Sequence, residues 1–92
     1  MTQVSVLVDP DRARVNRLTP RQVEILVRVA VGRTNAQIGR ELFICENTVK
    51  KQMKNIFLRL QVVDRASAVA QAYELGVFLP RSARVVPLRS VA

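Results

Sequence analysis

The chain reads as an all-α, four-helix helix-turn-helix domain, and three observations lead there. Helix-start signals recur at Thr19-Pro20, at Thr34 and at Asp64. Between them, apolar residues return at intervals of three and four. A three-residue break, Phe43-Ile44-Cys45, separates a short helix from a long one that carries lysines. Short irregular extensions flank the helical part.

Composition removes most alternatives. Ninety-two residues make a single domain, and 49% hydrophobic with 24% charged residues is globular composition. No window approaches the roughly 20 apolar residues of a membrane span, and no signal segment opens the chain. The expected location is therefore cytoplasmic. There is no histidine and one cysteine, which excludes disulfide frameworks, zinc fingers and histidine-based catalytic triads. Gly32, Gly39 and Gly76 stand too far apart to form a phosphate-cradling loop. No enzyme, metal or cofactor is expected. Fifteen Lys and Arg against seven Asp and Glu give a net charge of +8, which attracts the chain to polyanions, whether nucleic acid or an anionic membrane surface.

Residues 1–17 read as an N-terminal extension. Val4, Val6 and Val8 alternate as in a short strand, and Asp9-Pro10-Asp11 reads as a turn. A lone strand cannot stabilise itself, so this piece is expected to be disordered or loosely docked. The first helix, residues 20–31, has Thr19 as N-cap, Pro20 at its first position and Gln22 closing a capping box. Val23, Leu26, Val27 and Ala30 line one face, and Gly32 terminates it. The second helix, residues 35–42, repeats the device with Thr34 and Gln37. Gly39 in its middle costs roughly 1 kcal/mol relative to Ala, which points to close approach of another helix.

The third helix spans residues 46–60. At about 100° per residue, Val49, Met53, Ile56, Phe57 and Leu60 fall in one arc, the core face. Asn47, Lys51, Lys54 and Asn55 fall opposite, with Lys50 on the flank. Leu58 also points outward, and core packing does not explain it. The fourth helix, residues 65–75, starts from Asp64 and ends at Gly76. Its apolar residues cover an arc of about 220°, more than one neighbour can bury, so it is expected to pack on two surfaces. Residues 80–92 form a basic tail with little periodicity, read as disordered.

These residues resemble a known family. Leu18-Thr19-Pro20-Arg21-Gln22-Val23-Glu24-Ile25-Leu26, Gly32-Arg33-Thr34-Asn35, Gln37-Ile38-Gly39-Arg40-Glu41-Leu42 and Glu46-Asn47-Thr48-Val49-Lys50 are similar to segments of the LuxR-type, or GerE-like, DNA-binding domain. Arg65, Ala68-Val69, Ala72 and Gly76 resemble its last helix. The similarity covers residues 18–79. It implies a domain that reads the DNA major groove with its third helix and pairs through its fourth. By position it implies Lys50, Lys51 and Lys54 as base and phosphate contacts, and Thr34, Asn47 and Thr48 as backbone contacts. The helical wheel separately turns Asn47, Lys51, Lys54 and Asn55 outward. With Ala68, Val69 and Ala72 on the core, Ala66, Ala70 and Tyr73 remain as an outward stripe for a homodimer.

The departures are specific. Cys45 stands where the family commonly has serine, Gln52 where histidine is frequent, and Asp64 where asparagine or serine is common. Phe43 holds a place at which helix-turn-helix motifs often have glycine. Cys45 reads as a half-buried structural thiol, not an oxidant sensor. Family members often carry a receiver or ligand-binding domain ahead of this module, for which 17 residues are too few. The expected function is thus a stand-alone, sequence-specific bacterial transcriptional regulator bound to double-stranded DNA at the nucleoid, with RNA polymerase or another regulator as a further partner and no membrane partner. The competing readings are a sigma-factor-like promoter-reading domain and a protein-interaction module that no longer binds DNA. The pattern of Arg65, Ala68-Val69 and Ala72 speaks against the first, and the intact Lys50, Lys51 and Lys54 against the second.

Overall fold

A computed structural model describes residues 6–80. In chain order the elements are β1 (Leu7–Val8), α1 (Pro10–Val15), α2 (Pro20–Ala30), α3 (Asn35–Leu42), α4 (Glu46–Leu60), α5 (Arg65–Glu74) and β2 (Phe78–Leu79). The four helices expected from the sequence are α2 to α5, with α2 and α5 each one residue shorter at the C-terminal end. The reading of residues 81–92 as a disordered tail lies outside the described residues, as does Val4 of the expected strand.

Capping explains why the helices begin where they do. Thr19 Oγ1 accepts from Gln22 N at 3.1 Å, while Gln22 Oε1 accepts from Thr19 N at 3.0 Å. Thr34 and Gln37 repeat the exchange at 3.1 and 2.8 Å. Each box satisfies two backbone donors that the helix itself leaves without partners, and a cap of this kind contributes about 1 kcal/mol. Asp64 caps α5 by accepting from Ser67 N at 2.8 Å. That bond favours the carboxylate and holds its pKa below the usual value.

The core forms where the helices cross. Ile25 and Leu26 of α2, Ile38 of α3, Val49 and Ile56 of α4, and Ala68 and Ala72 of α5 have no exposed surface. Burying a large aliphatic side chain in this way contributes about 1.5–3 kcal/mol. Along α4 the buried set is Val49, Met53, Ile56 and Leu60, as its wheel requires, with Phe57 partly buried against it. Gln22 is the buried polar residue of this core, and its amide reaches Gln52 of α4 at 3.4 Å as well as closing its own box.

The N-terminal segment departs from the sequence reading. Asp9-Pro10-Asp11 is a helix start instead of a turn: Asp9 Oδ1 accepts from Asp11 N at 3.0 Å, and Pro10 occupies the first helical position. The same residue types serve both structures, and a six-residue helix is too short to show periodicity. The strand finds its partner far along the chain, with Leu7 opposite Leu79 and Val8 opposite Phe78, antiparallel. Val77 and Phe78, which no sequence pattern marked, are fully buried, the first just before β2 and the second within it. Arg12 Nε donates to Leu75 O at 3.0 Å and Asp9 N to Val77 O at 2.9 Å, so the segment docks on the C-terminal end of α5.

Gly39 meets a different neighbour from the one expected. A Cβ built there would lie 2.6 Å from Ile44 O, so the close approach is made by the turn backbone and not by the side of a helix. Phe43 ends α3 with φ +61°, a left-handed conformation that favours glycine, and its side chain is 92% exposed. Two opposite outcomes follow in thermal melts. Gly39→Ala should lose about 1–2 kcal/mol, because moving the Ile44 carbonyl outweighs the gain in helix propensity. Phe43→Gly should gain about 0.5–1 kcal/mol, because strain is relieved and little packing is lost. A melting temperature that rises in the first or falls in the second would contradict this account of the turn.

Candidate nucleic-acid interface

The core face of α4 dictates what its other face presents. With Val49, Met53, Ile56 and Leu60 buried, Asn47, Lys50, Lys51, Lys54 and Asn55 are exposed. Lysine ammoniums on one helical face attract phosphate and can donate to guanine O6 and N7, and asparagine can pair with adenine. Thr48 is half-buried, its hydroxyl 3.1 Å from Cys45 Sγ. Thr34 is exposed at the start of α3, with its hydroxyl engaged in the capping box.

Cys45 corrects the sequence reading. It is exposed, because the chain enters α4 at the surface while its neighbours Ile44 and Val49 turn inward. Its sulfur makes no cap bond to the helix, so α4 starts without the side-chain cap that α2, α3 and α5 have. The Thr48 hydroxyl, the largest influence, lowers the thiol's pKa from its ordinary value.

The start of α3 is held from two sides. Glu41 accepts from Arg28 Nε at 2.9 Å and from Arg33 Nε at 2.7 Å, joining α2, the α2–α3 loop and α3. The Arg33 hydrogen bond above all keeps this carboxyl below its usual pKa, against a smaller opposing effect of desolvation. From the other side, Arg65 of α5 donates to Asn35 Oδ1 at 2.6 Å and to Arg33 O. Asn35 and Arg65 thereby border a cleft of about 300 Å³ with Lys50 and Lys54, floored by Met53 and Phe57. Sequence reasoning treated Asn35 and Arg65 only as parts of a motif. The available signal was an arginine at a helix start, where a cation is out of place.

On α5, Ala66 and Ala70 are exposed, and Tyr73 is 42% exposed while its ring packs edge-on against Phe78 at 5.3 Å between centroids. Ala68 and Ala72 face the core, and Val69 is half-buried. The N-terminal segment covers the end of this helix, not the Ala66–Ala70 stripe.

The model of the bacterial regulatory proteins of the luxR family matches residues 16–72 of this chain. The chain belongs to the luxR family. Over 56 residues it is 48% identical to the transcriptional regulatory protein LiaR of Bacillus subtilis, a match covering 61% of this chain and 26% of LiaR. It is 40% identical over 76 residues to the HTH-type quorum sensing-dependent transcriptional regulator RpaR of Rhodopseudomonas palustris, covering 83% of this chain and 31% of RpaR. It is 46% identical over 55 residues to the CsgBAC operon transcriptional regulatory protein of Escherichia coli, covering 60% and 26%. The chain thus spans about a third or less of the length of these luxR-family relatives. The matched region runs from the end of α1 into α5 and contains Thr34, the exposed face of α4, and Ala66 and Ala70.

The missing cap on the lysine-bearing helix yields an expected outcome. Cys45→Ser supplies a hydroxyl of better capping geometry and should raise stability by about 0.5–1 kcal/mol in thermal melts. A lower melting temperature would show that the Cys45–Thr48 contact outweighs a normal cap.

Proposed function

We propose that the chain is the DNA-binding part of a bacterial transcriptional regulator, reading a specific sequence in the major groove with α4. The single observation that carries this is the exposed face of α4, where Asn47, Lys51, Lys54 and Asn55 stand opposite the buried core face and Lys50 is exposed on the flank. Lys51 and Lys54 take base edges and phosphates, with Lys50 flanking them. Thr34 and Thr48 lie near the DNA backbone, where N–H groups at helix starts favour phosphate. The three relatives named above, each a transcriptional regulator or regulatory protein by name, support the same reading. Its direct test is selection of bound sequences from a random duplex pool, which returns an enriched motif if the reading is right.

On the selected site, Lys51→Ala and Lys54→Ala should each weaken binding. A loss of about 1–3 kcal/mol confined to one base position marks a base contact. A uniform loss with a salt slope shallower by about 0.9 marks a phosphate contact. Fluorescence anisotropy that finds both variants equal to the parent would place the recognition surface elsewhere.

We further propose that two copies pair through α5 on adjacent half-sites, with Ala66, Ala70 and Tyr73 at an isologous contact. The exposed small side chains of Ala66 and Ala70 allow close approach, while the limited apolar area keeps the pair weak without DNA. Ala70→Glu should therefore remain folded by circular dichroism yet bind a two-half-site duplex without cooperativity. Sedimentation of the parent as one copy per two-half-site duplex would defeat the pairing.

A further inference from the structure

Arg65 sits where helix electrostatics disfavour it. It is the first residue of α5, whose N-terminus carries partial positive charge. Among the described residues no carboxylate pairs with it. The adjacent Asp64 carboxylate is turned to Ser67 N at 2.8 Å. Glu46 shares a second groove with Arg65 and Asn35 but forms no ion pair with the guanidinium among the described residues. The guanidinium spends its donors on two neutral acceptors, Asn35 Oδ1 at 2.6 Å and Arg33 O. Two exposed lysines, Lys50 and Lys54, border the same cleft.

The chemistry of the cleft rim is one-sided. Because Asn35 Oδ1 already accepts from Arg65, its Nδ2 is left to donate. The ammoniums of Lys50 and Lys54 can only donate, and so can the remaining N–H groups of Arg65. Three cations and an amide donor around one opening repel one another until an acceptor-only anion arrives.

We propose that Arg65 belongs to the DNA interface: it positions Asn35 and the start of α3 while its unneutralised charge joins Lys50 and Lys54 to hold one backbone phosphodiester at this cleft. This deepens the DNA reading above and rests on it. The same side chain ties α5 to the phosphate-facing end of α3. Phosphate capture and the placement of α5 are thereby linked through one guanidinium.

The test uses the full chain and its selected duplex, with anisotropy over a salt series. Arg65→Gln should weaken binding about tenfold on cognate and random duplex alike, with a salt slope shallower by about 0.9. Arg65→Lys keeps the charge but loses the two-pronged bridge, so it should keep the parent's slope and bind at an intermediate strength. Duplexes carrying one neutral methylphosphonate at a time should reveal a position that weakens the parent but makes no further difference to Arg65→Gln. A merely structural arginine would lower the melting temperature of both variants and leave the slope and the methylphosphonate profile of the folded protein unchanged. That result overturns the assignment. If Arg65→Gln does not fold, Arg65→Lys decides the matter, and a slope shallower than the parent's would overturn it. A parent that enriches no motif and binds no duplex overturns the DNA reading as well, whereas a binding parent with an indifferent Arg65 overturns this inference alone.

Discussion

The geometry of the domain depends on the contact between Gly39 and the carbonyl of Ile44, at which a single added carbon would come within 2.6 Å. Because α3 can approach the turn backbone this closely, the chain reverses in the few residues between Leu42 and Glu46. Ile44 N bonds back to Gly39 O at 2.9 Å, so the same residue receives the turn as well as making room for it. Once α3 and α4 are set at this contact, Ile38 and Val49 close over the core formed with Ile25 and Leu26, and the polar face of α4 is committed to the outside. The left-handed, exposed Phe43 is the cost of turning so tightly without a glycine.

Charge is distributed over this frame by buttressing rather than by pairing. Glu41 engages Arg28 and Arg33, while among the described residues Lys50, Lys54 and Arg65 form no ion pair. Salt bridges as partly exposed as these contribute little stability. Their effect is geometric: they fix the α2–α3 loop, whose carbonyl at Arg33 then accepts from Arg65. A run of contacts from Arg28 through Glu41, Arg33, Asn35 and Arg65 joins three helices around the start of α3. The lysines of α4 stand beside that point, so their potential adds to it instead of being neutralised.

Much of this was legible in the chain because the signals are local. Thr19-Pro20 with Gln22, Thr34 with Gln37, and Asp64 announce helix starts through bonds made within one turn. Gly32 and Gly76 announce helix ends through a backbone conformation that only glycine takes easily. Periodicity on α4 separates Val49, Met53, Ile56 and Leu60 from the lysines because helical geometry alone decides which residues share a face. Asp9-Pro10 was misread because an N-cap followed by proline has the same composition as a turn. Cys45 was misread because its exposure depends on the path of the chain into α4, not on its own apolar character.

The sequence by itself therefore determined helices α2 to α5, the caps of α2, α3 and α5, and the core and basic faces of α4, since all of these follow from residue spacing and short-range hydrogen bonds. Tertiary structure alone decided what lies across the molecule. It paired Leu7–Val8 with Phe78–Leu79, about 70 residues apart, where two-residue strands carry no periodicity to read. It buried Val77 and Phe78 where that pair forms, and it left Ala66 and Ala70 open by docking the N-terminal segment at the other end of α5. It brought Arg65 onto Asn35 across thirty residues. Contacts of this range depend on how helices cross, and the crossing is set by the fit of many side chains at once, which no single stretch of chain contains.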